Sequence, residues 1–275
     1  MAEDPDQVGE AGASDSEFVQ VTSHFVRERN ALAVQADFSP LFVDYYLHQM
    51  DQGMKYPPRE DTLLKDGLAA VVLHATTRPW KETHAWTLTL PDPVRSVFVT
   101  AGSLIESATG RVFTEGVREE VEHRFYAQVS MKGQETRQSV VEFSGQEVFS
   151  AVEQFYEQSE QRLARLFRLE EEEVVLVSAQ PDCDEEWLAQ LDNEQLSRLH
   201  VEETTTHLET RRFQFRCGCN VERIFPALAP LAAQGLDDLF QGDEAITIQC
   251  PRCAARWRLT RETVEAMMAD SPPSP

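Results

Sequence analysis

Four of the five cysteines stand in two close pairs: Cys217 and Cys219 in "RCGCNVERI", and Cys250 and Cys253 in "IQCPRCAARW". No other feature of the chain constrains its folding so tightly. Four thiolates are a complete tetrahedral donor set for zinc, and a closed set leaves no coordination position for a substrate. The pattern therefore points to Zn2+ bound by Cys217, Cys219, Cys250 and Cys253, and away from catalytic zinc. Gly218 lets the backbone bend so that both neighbouring sulfurs reach one ion. "FQFRCGCNVERIF" predicts a strand end, a tight turn and a helix start. "AITIQCPRCAARWRL" predicts a hairpin with Pro251-Arg252 at its turn, and with Ile246 and Ile248 against Trp257 and Leu259.

The segment 211–269 is small enough for a metal staple to supply stability that its own core lacks. Zinc keeps its sulfurs as thiolates, the species that oxidants attack. Oxidation to two local disulfides, Cys217–Cys219 and Cys250–Cys253, would discharge the ion and remove the staple. Arg216, Arg223, Arg252, Arg256 and Arg258 cluster by sequence around the cysteines. They read equally as thiolate-activating charges or as ordinary surface charge. Cys183, in "PDCDEE", is flanked by acids that disfavour its thiolate, and reads as an unreactive thiol.

The formal net charge is −22. Such a chain repels polyanions, which argues against nucleic acid and anionic membranes as partners. The charge is uneven, because residues 211–269 hold eight Arg against seven Asp and Glu. There is no apolar run long enough to span a bilayer. Residues 1–17 carry six acidic side chains and no basic one, unlike a signal peptide. The expected location is the cytoplasm, where clustered thiols stay reduced and bind metal. Residues 1–17 and 270–275 read as solvated tails.

Period-two segments predict strands in 27–39, "THAWTLTL", "PVRSVFVTAG", "EHRFYAQVSM", "RQSVVEFS", "ARLFRL" and "EVVLVSAQ". Turns are expected at Pro91-Asp92-Pro93, Ala108-Thr109-Gly110 and Lys132-Gly133. Ser39-Pro40 reads as the N-cap and first turn of a helix, and 60–75 as a buried helix. A further helix carries Val148, Val152, Phe155 and Tyr156. Strands and helices mix without a βαβα rhythm. The predicted class is α+β: an N-terminal, mainly antiparallel sheet with packed helices, then a small C-terminal zinc-binding module. The expected units are a body at 18–180, a linker at 181–210 with one amphipathic stretch (Trp187, Leu188, Leu191, Leu196, Leu199), and the four-cysteine module at 211–269.

"FRCGCNVERI" and "IQCPRCAARWRL", with "VEQFYEQSEQRLARLFRL" and "KYPPREDTLLKDGLAAVVLHAT" in the body, resemble the redox-regulated 33-kilodalton heat-shock chaperone family. The resemblance spans about residues 25–269. It implies an ATP-independent holdase for unfolding client proteins under oxidative stress. It also implies a zinc module on Cys217, Cys219, Cys250 and Cys253, and activation by oxidation with zinc release, linker unfolding and dimerisation. Two other readings are a zinc-ribbon-like module for nucleic acid or ribosomes, which the net charge opposes, and a constitutive chaperone with purely structural zinc. No HExxH, phosphate loop, GxSxG or Ser-His-Asp pattern occurs, so the chain reads as not an enzyme.

Overall fold

Period-two apolar residues build most of one large sheet. In the computed structural model, which describes residues 18–117 and 122–270, its strands are β1 (Val19–Val26), β2 (Ala31–Asp37), β3 (Thr83–Pro91), β4 (Val94–Gly102) and β5 (Ser107–Phe113). They continue with β6 (Arg124–Ser130), β7 (Arg137–Glu142), β8 (Ala164–Arg168), β9 (Glu173–Ala179) and β10 (Thr205–Phe215). The order is β7-β6-β3-β4-β5-β10-β1-β2-β9-β8. Every described neighbour pair is antiparallel except β5–β10, which runs parallel and matches only Gln214 to Ser107 and Phe215 to Ala108. The sheet is thus two five-stranded halves joined at a short parallel seam. The α+β class expected from the sequence is the class observed.

One face of the sheet is covered by α1 (Ser39–Asp51), α2 (Pro58–Thr76) and α3 (Val148–Gln158). Pro58 opens α2, and Glu60 and Asp61 sit in its first turn, where the backbone dipole favours negative charge. Leu63, Leu64 and residues 68–73 are all buried, so α2 is buried nearly all round, with the sheet on one side and α3 packed against it. Trp86 from β3, Phe125 from β6 and Phe155 from α3 form the aromatic centre, with Phe125 and Phe155 stacked at 4.8 Å.

The second face is covered over one half only. Val26, Ala31, Ala33, Phe167, Val175 and Val177 form a separate apolar cluster there. Leu188, Leu191, Leu196 and Leu199 close it from three short helices, α4 (Glu185–Gln190), α5 (Asn193–Ser197) and α6 (Leu199–Glu202). Past β10 the chain continues as α7 (Val221–Gln234), α8 (Leu236–Phe240), the hairpin β11 (Ala245–Gln249) and β12 (Arg256–Thr260), and α9 (Arg261–Asp270).

Several local expectations are corrected. Ala108-Thr109-Gly110 is not a turn but the middle of β5. Its residues are small because the strand is pressed under α2. A Cβ on Gly110 would stand 2.5 Å from the Phe98 carbonyl oxygen and 3.0 Å from Leu64. Residues 27–29 form a short 3-10 turn, and the strand begins at Ala31. β1 was not among the expected strands, since a bulge at Ser23/His24 breaks its alternation. Ser39 does not cap α1 but begins it. Asp37 Oδ1 is the acceptor, taking the Ser39 N–H at 2.9 Å and its hydroxyl at 2.5 Å. The apolar stretch 187–199 is broken into three helices: Asp184 caps the first, Asp192 caps a new start for the second, and the third begins after Arg198 without a side-chain cap. Residues 211–215, grouped by sequence with the cysteine module, complete β10 of the large sheet. The segment 1–17 and the tail beyond Asp270 lie outside the described residues.

The core also predicts a pH response. His84 is 1% exposed. Burial first, then Arg78, Arg137 and Arg211, lower its pKa from 6.5 to about 4, although Glu82 stands 3.4 Å away. Folded His84 stays neutral where the unfolded chain takes up a proton. Stability is therefore full above pH 6.5 and falls as pH drops from about 6.5 to about 4, by on the order of 3 kcal/mol. Denaturant midpoints of wild type and His84→Gln, compared at about pH 7 and pH 4.5, check this. The variant should show the smaller loss.

Candidate metal centre

The centre is built where a strand stops and a hairpin turns. β10 ends at Phe215, and Gly218 takes the left-handed conformation (φ +64°) between Cys217 and Cys219. Asn220 then caps α7, its side chain accepting the Arg223 N–H at 2.9 Å. Arg223 Nη1 folds back to donate to the Gly218 carbonyl at 2.5 Å. On the other side, Cys250 and Cys253 bracket the β11–β12 turn. The Cys250 N–H donates to Ala255 O at 2.8 Å, the Ala254 N–H to Cys250 O at 3.0 Å, and the Arg252 N–H to Cys250 Sγ at 3.4 Å. Ala254 is left-handed at φ +63°.

These turns bring all four sulfurs within 4.8 Å of one another. The separations are 3.7 Å for Cys217–Cys250 and 3.5 Å for Cys219–Cys253. A tetrahedral ion with metal–sulfur bonds of about 2.3 Å requires sulfurs about 3.8 Å apart, whereas a disulfide requires about 2.05 Å. The set therefore fits a thiophilic divalent ion, and all five cysteines are free thiols. Cys250 and Cys253 are buried, and Cys217 and Cys219 half-buried.

The electrostatics fit the same conclusion. Burial, and then charge on Cys217 and Cys250, push the Cys219 thiol up to about 12. Cys250 is pulled down because Cys217 and Cys253 donate to its sulfur, and Cys253 is pushed up because it keeps the proton it shares with Cys217 and Cys250. Four thiolates cannot coexist at this spacing without a cation, and a divalent ion supplies the missing charge. Arg216, Arg252, Arg256 and Arg258 are exposed. Of the five clustered arginines only Arg252 reaches a sulfur among the described residues, and through its backbone N–H. Cys183 lies apart, beside α4, its thiol pushed up by burial and then by Glu185 and Asp184.

Contacts that no sequence spacing signals dock the hairpin on the body. His48 Nε2, on α1, is 2.9 Å from Cys253 O. Arg111 Nη1, on β5, donates to Cys250 O at 2.9 Å, and the Arg256 N–H donates to Gln52 Oε1 at 2.7 Å.

Residues 168–260 match the family described as "Hsp33 protein". Proteins called 33 kDa chaperonin are similar to this chain. That of Pectobacterium carotovorum is 29% identical over 162 residues, covering 50% of this chain and 56% of the relative. That of Edwardsiella ictaluri is 26% identical over 170 residues, covering 53% and 58%. The chain thus spans little more than half the length of these curated relatives in the matched region. In fold, a crystal structure of the 33 kDa chaperonin of Thermotoga maritima, a heat shock protein 33 homologue, superimposes with a TM-score of 0.70 at 13% identity, covering 91% of this chain and 98% of that one. The likeness to Hsp33 that the cysteine motifs carry is thereby shown twice: in the sequence of residues 168–260 and in the fold of the chain.

Proposed function

We propose that the protein is a redox-regulated, ATP-independent holdase whose zinc ion is held by Cys217, Cys219, Cys250 and Cys253. The observation that carries this reading is the closed quartet of sulfurs, set inside the segment that matches Hsp33. In this reading 18–180 is the chaperone body, 181–210 the linker and 211–269 the switch, with β10 crossing the last boundary.

Bound zinc lets all four sulfurs persist as thiolates. An oxidant such as peroxide converts Cys217–Cys219 and Cys250–Cys253 to disulfides. Two peroxides accept the four electrons, four protons complete four waters, and Zn2+ leaves. The module has only a small apolar cluster besides, with Phe225, Ala232, Phe240, Leu259 and Val264 buried and residues such as Ile246, Ile248 and Trp257 half-buried against them. As it loosens, the His48, Arg111 and Gln52 contacts go with it. α4–α6, each shorter than two turns, do not stand without tertiary support. Their detachment from the sheet, a separate step of this reading, would bare Val26, Ala33, Phe167, Val175 and Val177, an apolar surface suited to unfolding clients and to a second oxidised copy. No described helix is long and apolar enough to cross a membrane.

The test is aggregation of a denatured client, followed beside zinc release during peroxide treatment. Reduced protein should be a poor suppressor and oxidised, zinc-free protein an effective one. Zinc release with no gain in suppression sinks the redox switch and leaves the zinc structural.

A further inference from the structure

A cleft of about 710 Å³ lies where the cysteine hairpin meets the body. Its walls come from three pieces of chain: residues 53–57 between α1 and α2, residues 111–115 at and past the end of β5, and Gln249, Ala254 and Arg256 on the hairpin. Three cations line it, Lys55, Arg111 and Arg256. Their placement follows from the pairing around them. Arg256 stands directly opposite Gln249 in the β11–β12 ladder, and opposed residues keep their side chains side by side. Arg111 Nη2 donates to Gln249 Oε1 at 3.2 Å, and its Nη1 to Cys250 O at 2.9 Å. One wall thus carries both guanidinium groups. The Tyr56 hydroxyl accepts the Val112 N–H at 3.3 Å, which ties the loop bearing Lys55 to the strand bearing Arg111.

This group lacks a counterion. Among the described residues none of the three cations forms an ion pair. Two acids line the cleft. Glu60 is already taken by Arg95 Nε at 2.5 Å, and Glu115 is exposed. Like charges gathered in a cleft raise the local concentration of the opposite ion, here against a chain whose net charge of −22 repels anions elsewhere. Lys55 and Arg256 are exposed, so their donors are within reach of a solute. Arg111 is held by its two hairpin bonds, with its guanidinium 4.1 Å over the Phe113 ring, and serves as a fixed charge in the wall. Met54, Tyr56, Pro57 and Phe113 supply apolar and aromatic surface beside the charges. The volume is that of a small-molecule site.

We propose that this cleft binds one small organic phosphate, with its anionic group between Lys55 and Arg256 and its body against Tyr56 and Phe113. A phosphate group offers three strong acceptor oxygens and up to two charges, so it serves two cations from different walls at once. Lys55 belongs to the body and Arg256 to the hairpin. The bound anion therefore pins the hairpin in its docked position, in addition to the contacts of His48, Arg111 and Gln52. The site rests on the cleft and its charges and not on the chaperone reading.

Phenyl phosphate is the probe, titrated calorimetrically into full-length, zinc-loaded protein at about pH 7.5 and about 0.15 M salt, where diffuse surface attraction is screened. The expected result is one molecule per chain with a submillimolar Kd. Lys55→Gln and Arg256→Gln should each weaken binding at least about tenfold, the loss expected for a hydrogen bond to a charged group. Both side chains are exposed, so neither change disturbs the core. Lys132→Gln removes the same charge from the turn between β6 and β7 and should leave the affinity unchanged. Inorganic phosphate, which lacks the ring, should bind at least about threefold more weakly. Equal losses in Lys55→Gln and Lys132→Gln overturn the site, as does the absence of binding at millimolar phenyl phosphate. The unsubstituted protein gives a second readout. Saturation should shift the amide resonances of residues 54–56 and 111–115 together with those of Ala254 and Arg256, and shifts confined to other residues also overturn the site.

Discussion

Cys253→Ser is expected to abolish stoichiometric zinc binding and to unfold the C-terminal module while the large sheet stays intact. Serine oxygen is not a zinc ligand at neutral pH, so the quartet loses a donor that is 2% exposed and has no substitute nearby. Binding of structural zinc is worth roughly 10–16 kcal/mol in small zinc-dependent folds. The module's small, partly exposed apolar cluster cannot replace it. The body keeps its own core around Trp86, Phe125 and Phe155. Metal content by atomic spectroscopy, with amide exchange in β11 and β12, measures both parts. Unchanged zinc, or β11–β12 amides that remain protected, would refute the assignment of the site.

Leu188→Ala combined with Leu196→Ala is expected to free α4–α6 without any oxidation. Each truncation of a buried leucine costs about 2–5 kcal/mol. Helices of five or six residues have no comparable reserve of their own. The loss is confined to the second face, since both leucines belong to the cluster on that side and not to the main core. The reduced, zinc-bound double variant should exchange its α4–α6 amides rapidly, bind more of an apolar dye and suppress client aggregation better than reduced wild type, as the proposed function predicts for the oxidised protein. Rapid exchange without gained suppression would show that this face is not the client surface.

The site was far more legible than its setting. Ligand spacing is local, so "RCGC" and "CPRC" announce the four sulfurs, the left-handed Gly218 and the hairpin in one dimension. The contacts of His48 and Arg111 with the second pair join residues 205 and 139 positions apart, and nothing in the spacing of a single chain marks them. Period two found most strands, but Ala108-Thr109-Gly110 misled it. There the small residues answer to the closeness of α2, a tertiary fact, and not to a turn. In 187–199 the apolar face was readable. Its division was also present in the text, since Asp192 and Gln195 form a capping box that starts α5. The place of β10 in the middle of the sheet was not legible, because strand order depends on pairings that the alternation of one strand does not encode.

The parallel seam gives the molecule a mechanical weak point. β5 and β10 match at two residue pairs, fewer than any other described neighbours, and the bond that ends the ladder runs from the Arg216 N–H to Ala108 O at 3.0 Å. The next residue is Cys217. Tension on the first sulfur is therefore delivered to the last rung of the joint between the two half-sheets. On the far side of that joint Arg111 grips the carbonyl of Cys250. The quartet of sulfurs thus bridges the seam from the end of β10 to Arg111 on β5, a second tie beside the packing of α2 on both half-sheets.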